Sequence, residues 1–236
     1  MKSPSRLLSI PFETSATTAL VYPAANHPVH RALILGHGAG AGQASAFMVS
    51  FARALSALGV DVVTFNFLYI EQRRRIPDRP ALLEACYHAV IEKVRGQLES
   101  ASHGLFIGGK SMGGRIATQV AAADADLPLA GLVLLGYPLH PPGKPAQRRD
   151  KHLADVRRPM LFVQGSRDAF GTPAELASAL EHLQPRSVVH VVSGGDHSFK
   201  VARQTSHEQA AILANIQQAI VAWMTAVKPS GRTSAP

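Results

Sequence analysis

The segment LFIGGKSMGGRIATQV, residues 105–120, joins an apolar run, a glycine-rich turn and a row of small and apolar residues that favours a helix. Within it, Gly109, Ser111 and Gly113 form the pattern Gly-x-Ser-x-Gly. The two glycines leave room for a strand and a helix to approach closely, where a Cβ would clash. So sharp a turn holds its serine above the sheet edge in a strained conformation, as in a nucleophile elbow. The alternative is a glycine-rich turn with an incidental serine.

Apolar segments with strand character alternate with segments of helical periodicity along the rest of the chain. Predicted strands cover residues 7–10, 17–22, 32–35, 60–65, 104–108, 129–135, 160–164 and 187–192, the first two as a hairpin at the sheet edge. Predicted helices cover residues 46–58, 81–98, the segment after Ser111, 173–183 and 206–225. Residues 66–80 are predicted to be a loop, and residues 206–209 fit a capping box. The pattern predicts an α/β fold, a mostly parallel sheet of about seven to eight strands with helices on both faces and no large lid domain.

Length and composition favour one globular domain over residues 1–227, followed by a flexible tail over residues 228–236. The lone cysteine, Cys86, fits a reducing compartment. The apolar run near the N-terminus is too short for a signal peptide, and no run approaches the ~20 residues of a membrane span. We therefore expect a cytoplasmic protein that does not bind membranes. The net charge is +8, but no DNA- or RNA-binding motif accompanies it, so we expect no nucleic-acid partner.

Four candidate functional features each follow a predicted strand: Ser111, Asp168, His197 and the glycine-rich loop 37–42. Ligands of parallel sheets bind beyond the carboxyl ends of the strands, so the topology predicts that all four lie together. A serine hydroxyl needs a base to remove its proton, and histidine needs a carboxylate to hold its tautomer. The order serine, acid, histidine is typical of one hydrolase fold, and it predicts a catalytic triad here. Asp196 is a weaker candidate because it is the immediate neighbour of His197.

An oxyanion in such a site needs fixed backbone donors. We predict the N–H of Met112, at the start of the helix, and the N–H of Ala39 in the glycine-rich loop. The competing interpretation of residues 37–42 is a phosphate-binding loop. The loop lacks the Gly-Lys-Ser/Thr ending of a P-loop and an acidic residue at the spacing of a dinucleotide fingerprint.

At these residues the chain resembles the α/β-hydrolase superfamily, and more narrowly the dienelactone-hydrolase-like proteins grouped with testis-expressed protein 30 and NSL-complex subunit 3. The matching segments are residues 37–40, 65–67, 109–114, 136–144 and 194–198. The resemblance implies an eight-stranded sheet, a Ser-Asp-His triad, and neither metal nor cofactor. Dienelactone hydrolases use a cysteine nucleophile, so Ser111 departs from their pattern. The eukaryotic relatives act partly as interaction modules.

Two functions are therefore predicted as alternatives. The first is a serine hydrolase that cleaves a small carboxylic ester or thioester through an acyl-enzyme. The second is a non-catalytic interaction module that retains the fold. Specificity is expected in loops 66–80 and 136–150. The residues predicted to bind substrate are His37, Phe67, Tyr69, Tyr137 and His140.

The same two loops carry basic residues: Arg73, Arg74, Arg75, Lys144, Arg148 and Arg149. Exposed basic clusters usually serve solubility, and this is the first interpretation. The second is that some of these charges rim the mouth above Ser111 and attract esters whose far end is anionic.

Overall fold

A computed structural model describes residues 6–12, 15–25, 27–183 and 186–228. Within these ranges, eight strands form one sheet in the order β1-β2-β4-β3-β5-β6-β7-β8. The strands are β1 (Arg6–Phe12), β2 (Ser15–Tyr22), β3 (Ala32–Gly36), β4 (Asp61–Phe65), β5 (Leu105–Lys110), β6 (Leu129–Leu135), β7 (Met160–Gly165) and β8 (Ser187–Val192). Strands β3 to β8 run parallel, whereas β2 is antiparallel to both β1 and β4. The predicted mostly parallel sheet with an edge hairpin is confirmed.

Helices cover both faces of the sheet. They are α1 (Ala46–Ala57), α2 (Leu68–Glu71), α3 (Pro80–Arg95), α4 (Glu99–His103), α5 (Met112–Ala123), α6 (Pro173–Leu180) and α7 (Ser206–Ala226). One apolar core contains Ile116 of α5 together with residues of α3 and α6. The other contains Phe51 of α1 and Ile220 of α7. Strands β3 to β7 are therefore buried on both faces, which explains their continuous apolar sequences, whereas the edge strand β8 is partly exposed.

Two predicted elements in the first half of the chain differ from the structure. The loop predicted at residues 66–80 contains the single turn α2, which Glu71 ties to β2 by accepting a hydrogen bond from the Thr18 N–H (3.0 Å). The helix predicted at residues 81–98 is α3, which ends earlier, at Arg95 with Gly96 as its C-cap, and the short helix α4 that follows at Glu99–His103 was not predicted. Glycine favours such an ending because it stabilises a helix interior poorly.

The ends of the last two helices also differ. Helix α6 ends at Leu180 and continues as the 3₁₀ turn Glu181–Leu183. The capping box of α7 begins at Thr205 and not at Ser206, since the Thr205 hydroxyl accepts the Glu208 N–H at 3.2 Å. The predicted tail, residues 228–236, lies outside the described residues except for Lys228. No helix in the described ranges is long and apolar enough to cross a membrane.

Candidate active site

The serine turn between β5 and α5 has a strained backbone. Ser111 has φ +51° and ψ −113°, which is uncommon for a residue with a side chain. A Cβ built on Gly113 would lie 2.2 Å from the carbonyl oxygen of Gly36 at the end of β3, and one built on Gly109 would lie 2.3 Å from the same atom. The steric need for both glycines is confirmed. Both glycines are needed because a side chain at either position would clash with the neighbouring strand β3, and one at Gly109 would also clash within the elbow.

His197 lies within hydrogen-bond distance of both Ser111 and Asp168. His197 Nε2 is 2.9 Å from Ser111 Oγ, and His197 Nδ1 is 2.8 Å from Asp168 Oδ2. With its proton on Nδ1, the imidazole donates to the carboxylate and its Nε2 can accept the serine proton. The topology therefore assembles three residues that are up to 86 positions apart in sequence.

Asp168 lies in a network that the sequence analysis missed. Its side chain is fully buried. Oδ2 also accepts from Gln164 Nε2 (2.9 Å), and Oδ1 accepts from the Phe170 N–H (2.8 Å). Gln164 also accepts from the Tyr137 N–H at 2.8 Å, which links β7 to the loop after β6. An amide inside an otherwise apolar strand was the one sequence signal for this role.

Lys110, next to the serine, is a second residue that the sequence analysis missed. Its Nζ donates to the carbonyl oxygen of His197 at 2.7 Å. Burial lowers the pKa of Lys110 to about 8, although the carboxylates of Asp168 and Asp196 oppose this shift. The Phe170 ring lies 4.2 Å from the His197 ring, centroid to centroid. The histidine is thus held through both its backbone and its ring.

Asp196, the residue before His197, stabilises the turn in which it lies. Its Oδ1 accepts from the N–H groups of Ser198 (2.8 Å) and Lys200 (2.9 Å). These bonds shape the loop that carries His197, while the imidazole is bound by Asp168. The geometry agrees with the choice of Asp168 over Asp196.

The predicted oxyanion donors lie beside the serine. Met112 is the first residue of α5, and a first helical residue has no intrahelical partner for its N–H. Ala39 and Met112 line the same cavity as Ser111. Both residues thus lie beside the serine, and their role as oxyanion donors stays a prediction.

His37 fixes the glycine-rich loop and does not face the cavity. Its Nδ1–H donates to the Gly38 carbonyl at 2.8 Å, and its Nε2 accepts from the Phe67 N–H at 3.1 Å. Burial lowers the His37 pKa to about 4, so the ring is neutral at physiological pH. The bond with Phe67 joins the segment after β3 to the segment after β4, and the bond with Gly38 ties the ring to the glycine-rich loop.

A cavity of about 680 Å³ opens above Ser111, a volume typical of small-molecule sites. Its apolar wall includes Ala41, Phe47, Met48, Leu83, Pro138 and Phe170.

Within the described chain, none of the five predicted substrate-binding residues lines this cavity. His37, Phe67, Tyr69 and Tyr137 are buried in the core, and the His140 ring faces Glu175 at 3.4 Å. Large aromatic rings gain more by packing on one another than by facing an open cavity. Their placement indicates support of the site, which differs from the predicted contact with substrate.

The basic loops contribute less to the cavity than the sequence suggested. Arg74 pairs with Asp78, and Arg148 pairs with Asp150 at 2.6 Å. Of the six basic residues named above, all within the described chain, Arg149 alone lines the cavity. The structure adds Arg115 of α5, which the sequence analysis did not consider.

The described residues contain no group of three or more histidine, cysteine or acidic side chains that could hold a metal ion.

A family model described as an alpha/beta hydrolase domain matches residues 29–225. The chain belongs to this α/β-hydrolase family. Its fold resembles an α/β serine hydrolase homologue from Coxiella burnetii, with 18% identity, TM-score 0.71, and coverage of 94% of this chain and 98% of that one. It also resembles a lidless α/β serine hydrolase from Xanthomonas campestris, with 22% identity, TM-score 0.72, and coverage of 94% and 96%.

A dienelactone hydrolase from Anabaena variabilis is similar as well, at 17% identity, TM-score 0.72, and coverage of 94% and 97%. At these identities the likeness shows the fold of this α/β-hydrolase and leaves its substrate open. The narrower resemblance to testis-expressed protein 30 stays a prediction.

Proposed function

We propose that this α/β-hydrolase is a serine hydrolase that cleaves small carboxylic esters or thioesters through a Ser111 acyl-enzyme. The observation that supports it best is the bridging position of His197, at 2.9 Å from Ser111 Oγ and 2.8 Å from Asp168 Oδ2. The strained φ of Ser111 is a second support, because such strain persists mainly where function requires it.

In the proposed reaction, Ser111 Oγ attacks the carbonyl carbon of the substrate while its proton passes to His197 Nε2. The N–H groups of Met112 and Ala39 stabilise the oxyanion that forms. Collapse of this intermediate breaks the bond to the alcohol or thiol, which leaves with the proton from His197. Asp168 stabilises the imidazolium throughout.

Water completes the cycle. His197 takes a proton from a water molecule, and this water attacks the carbonyl carbon of the acyl group that is esterified to Ser111. The second tetrahedral intermediate collapses, the carboxylic acid leaves, and the proton returns to Ser111 Oγ. The atoms balance as one water consumed for each ester cleaved, and no group outside the chain is needed.

The test combines labelling with turnover. A fluorophosphonate probe should label the wild-type protein on Ser111, and 4-nitrophenyl butyrate should be hydrolysed. Ser111→Ala should abolish labelling and lower kcat by about 10⁶, as loss of a serine nucleophile does. Ser102→Ala removes an exposed hydroxyl far from the cavity and should change neither result. Absence of labelling in folded wild-type protein would contradict the proposal and favour the interaction module.

A further inference from the structure

Two arginines line the cavity that contains Ser111. Arg115 lies one turn along α5, and its N–H donates to the Ser111 carbonyl at 3.1 Å. Arg149 comes from the loop after β6. Its backbone is fixed on two sides, because its N–H donates to Leu139 (2.9 Å) and its carbonyl accepts from the Tyr137 hydroxyl (2.7 Å). Both guanidinium groups therefore originate from rigid backbone.

Neither arginine is neutralised by an acidic side chain of the described residues. No carboxylate oxygen lies within 4.0 Å of either guanidinium, whereas Arg148, beside Arg149, is paired with Asp150. The Arg115 Nη1 has a long contact of 3.4 Å with Gln119 Oε1. Burial, followed by the positive charge of Arg149, lowers the pKa of Arg115, although Tyr137 and the more distant Glu84 carboxylate oppose this shift. Two like charges on one partly buried wall are unfavourable unless an anion lies between them.

The remaining charges of the cavity have partners already. Asp78 also lines it, but its carboxylate is bound by Arg74 and by the Tyr69 N–H (3.0 Å). Lys110 donates to the carbonyl of His197. The free charge on the wall is therefore positive, and it belongs to Arg115 and Arg149.

The distance between Ser111 and the two arginines is short enough for one small substrate to reach both. Four residues of α-helix rise about 6 Å, so Arg115 begins about that far from Ser111. Guanidinium groups bind carboxylate and phosphate with directed, charge-assisted hydrogen bonds. The scissile carbonyl can thus lie at Ser111 while a terminal anion of the same substrate reaches the arginines.

We propose that Arg115 and Arg149 form the specificity site of this enzyme and bind an anionic oxyacid group, carboxylate or phosphate, at the far end of its ester substrate. This inference rests on the proposed function, since it places the anion relative to a carbonyl held at Ser111.

The experiment compares phenyl esters that differ in terminal charge. Monophenyl adipate carries a free carboxylate, methyl phenyl adipate has the same chain with that group capped, and phenyl 4-phosphonobutyrate carries a phosphonate. Phenol release gives kcat/KM for each. We expect the wild type to prefer an anionic ester, and the preferred anion distinguishes carboxylate from phosphate. Arg115→Gln and Arg149→Gln should each lower kcat/KM for it by about 10- to 100-fold, the value of hydrogen bonds to a charged group.

The neutral ester is the internal reference, and each arginine variant should lose more activity on the anionic ester than on the neutral one. Arg157→Gln is the matched control, because it removes the same charge from an exposed position outside the cavity wall. Equal activity of the wild type on capped and free adipate would overturn the inference while leaving the hydrolase proposal intact. If the wild-type protein cleaves none of the three esters, the proposed function itself is rejected.

A binding measurement gives an independent readout. Adipate should bind to Ser111→Ala protein in calorimetry, and Arg149→Gln in that background should weaken binding by about tenfold or more. Equal adipate affinity with and without the two arginines would also overturn the proposal.

Discussion

Asp168 has a more constrained environment than its motif suggested. Its fully buried carboxylate accepts hydrogen bonds from His197, from Gln164 and from the Phe170 N–H. Such a carboxylate holds the imidazole in one tautomer and one orientation. Its proposed role is therefore to prepare His197 for proton transfer and to stabilise the charged ring.

Asp168→Asn should keep the fold and lower kcat by about 10⁴, because the amide favours the wrong tautomer of His197. The measurement is turnover of 4-nitrophenyl butyrate, with circular dichroism as the test of folding. Asp196→Asn is the matched control: Asp196 binds its own turn through Oδ1, an acceptor that an amide retains. A loss below tenfold in folded Asp168→Asn would contradict the assignment.

Lys110 holds the other side of His197 through its hydrogen bond to the backbone carbonyl. Lys110→Met keeps an unbranched side chain but removes this donor, so the His197 loop should loosen. We expect kcat to fall by about 10- to 100-fold, with KM for a neutral ester nearly unchanged. Lys144→Met removes an exposed charge and should leave both constants as they are. A rise in KM at constant kcat would instead indicate that Lys110 contacts substrate.

At the residue scale, the predictable part of the site is the part with local signatures. Ser111 has its glycines, and Asp168 and His197 each follow a strand in the right order. Lys110 contacts the loop after β8, and Gln164 contacts the loop after β6. Residue spacing within one segment does not encode a contact with a distant loop, so these two roles could be found only from the three-dimensional structure.

At the scale of elements, the site depends on how closely α5 approaches β3. Gly36, Gly109 and Gly113 let the two backbones touch, and this contact places the serine turn beside the glycine-rich loop. The strands were predicted well because buried parallel strands have continuous apolar sequences. The turn α2 was missed because it depends on a contact outside its own segment, that of Glu71 with Thr18. Helix α4 was missed because its five residues are too few to show helical periodicity.

Gly113→Ala tests this contact. The new Cβ would lie 2.2 Å from the Gly36 carbonyl oxygen, and backbone cannot move aside as a flexible side chain can. We expect a loss of about 3 kcal/mol in the free energy of unfolding, at the upper end for overpacking, or insoluble protein. Gly96→Ala is the control, since its Cβ would meet Glu92 O at an ordinary 3.7 Å. Urea unfolding of both variants gives the comparison, and equal stability would contradict the steric argument.

At the scale of the whole molecule, two buried bases and the overall charge act on stability in the same direction. His37 and Lys110 both have lowered pKa values, about 4 and about 8, because burial disfavours their charged forms. The chain also carries a net charge of +8 and has a pI of about 10.1, so self-repulsion falls as the pH rises. All three effects favour the folded state at higher pH.

The sign for each base follows from proton binding in the two states. Unfolded His37, with the ordinary pKa of 6.5, binds a proton before the folded form does, so stability is lost as the pH falls from about 6.5 to 4. The full effect is about 3 kcal/mol. Folded Lys110 releases its proton before the unfolded form, whose pKa is 10.5, so stability is gained from about pH 8 upwards.

Cys86 limits this gain at high pH. Burial raises the pKa of its thiol from 9.0 to about 12, so the unfolded chain alone releases the proton above pH 9 and stability then falls. Burial also raises the pKa of Tyr87 and of Tyr137 above 10, which acts in the same direction. The opposing groups place the stability maximum near pH 9, above the usual range of about 5 to 8.

Urea unfolding at pH 4, 5, 6.5, 7, 8, 9.5 and 11 should show this maximum, with the wild type gaining about 1 to 2 kcal/mol from Lys110 between pH 7 and 9.5. Two variants separate the contributions, whatever their absolute stability. His37→Gln should flatten the profile between pH 4 and 6.5, because it removes a base that charges on unfolding. Lys110→Met should remove the rise that begins near pH 8, so that stability only falls above pH 9, and should leave the acid limb unchanged. A wild-type maximum at pH 6 to 7, or parallel profiles for all three proteins, would show that neither buried base governs the pH dependence.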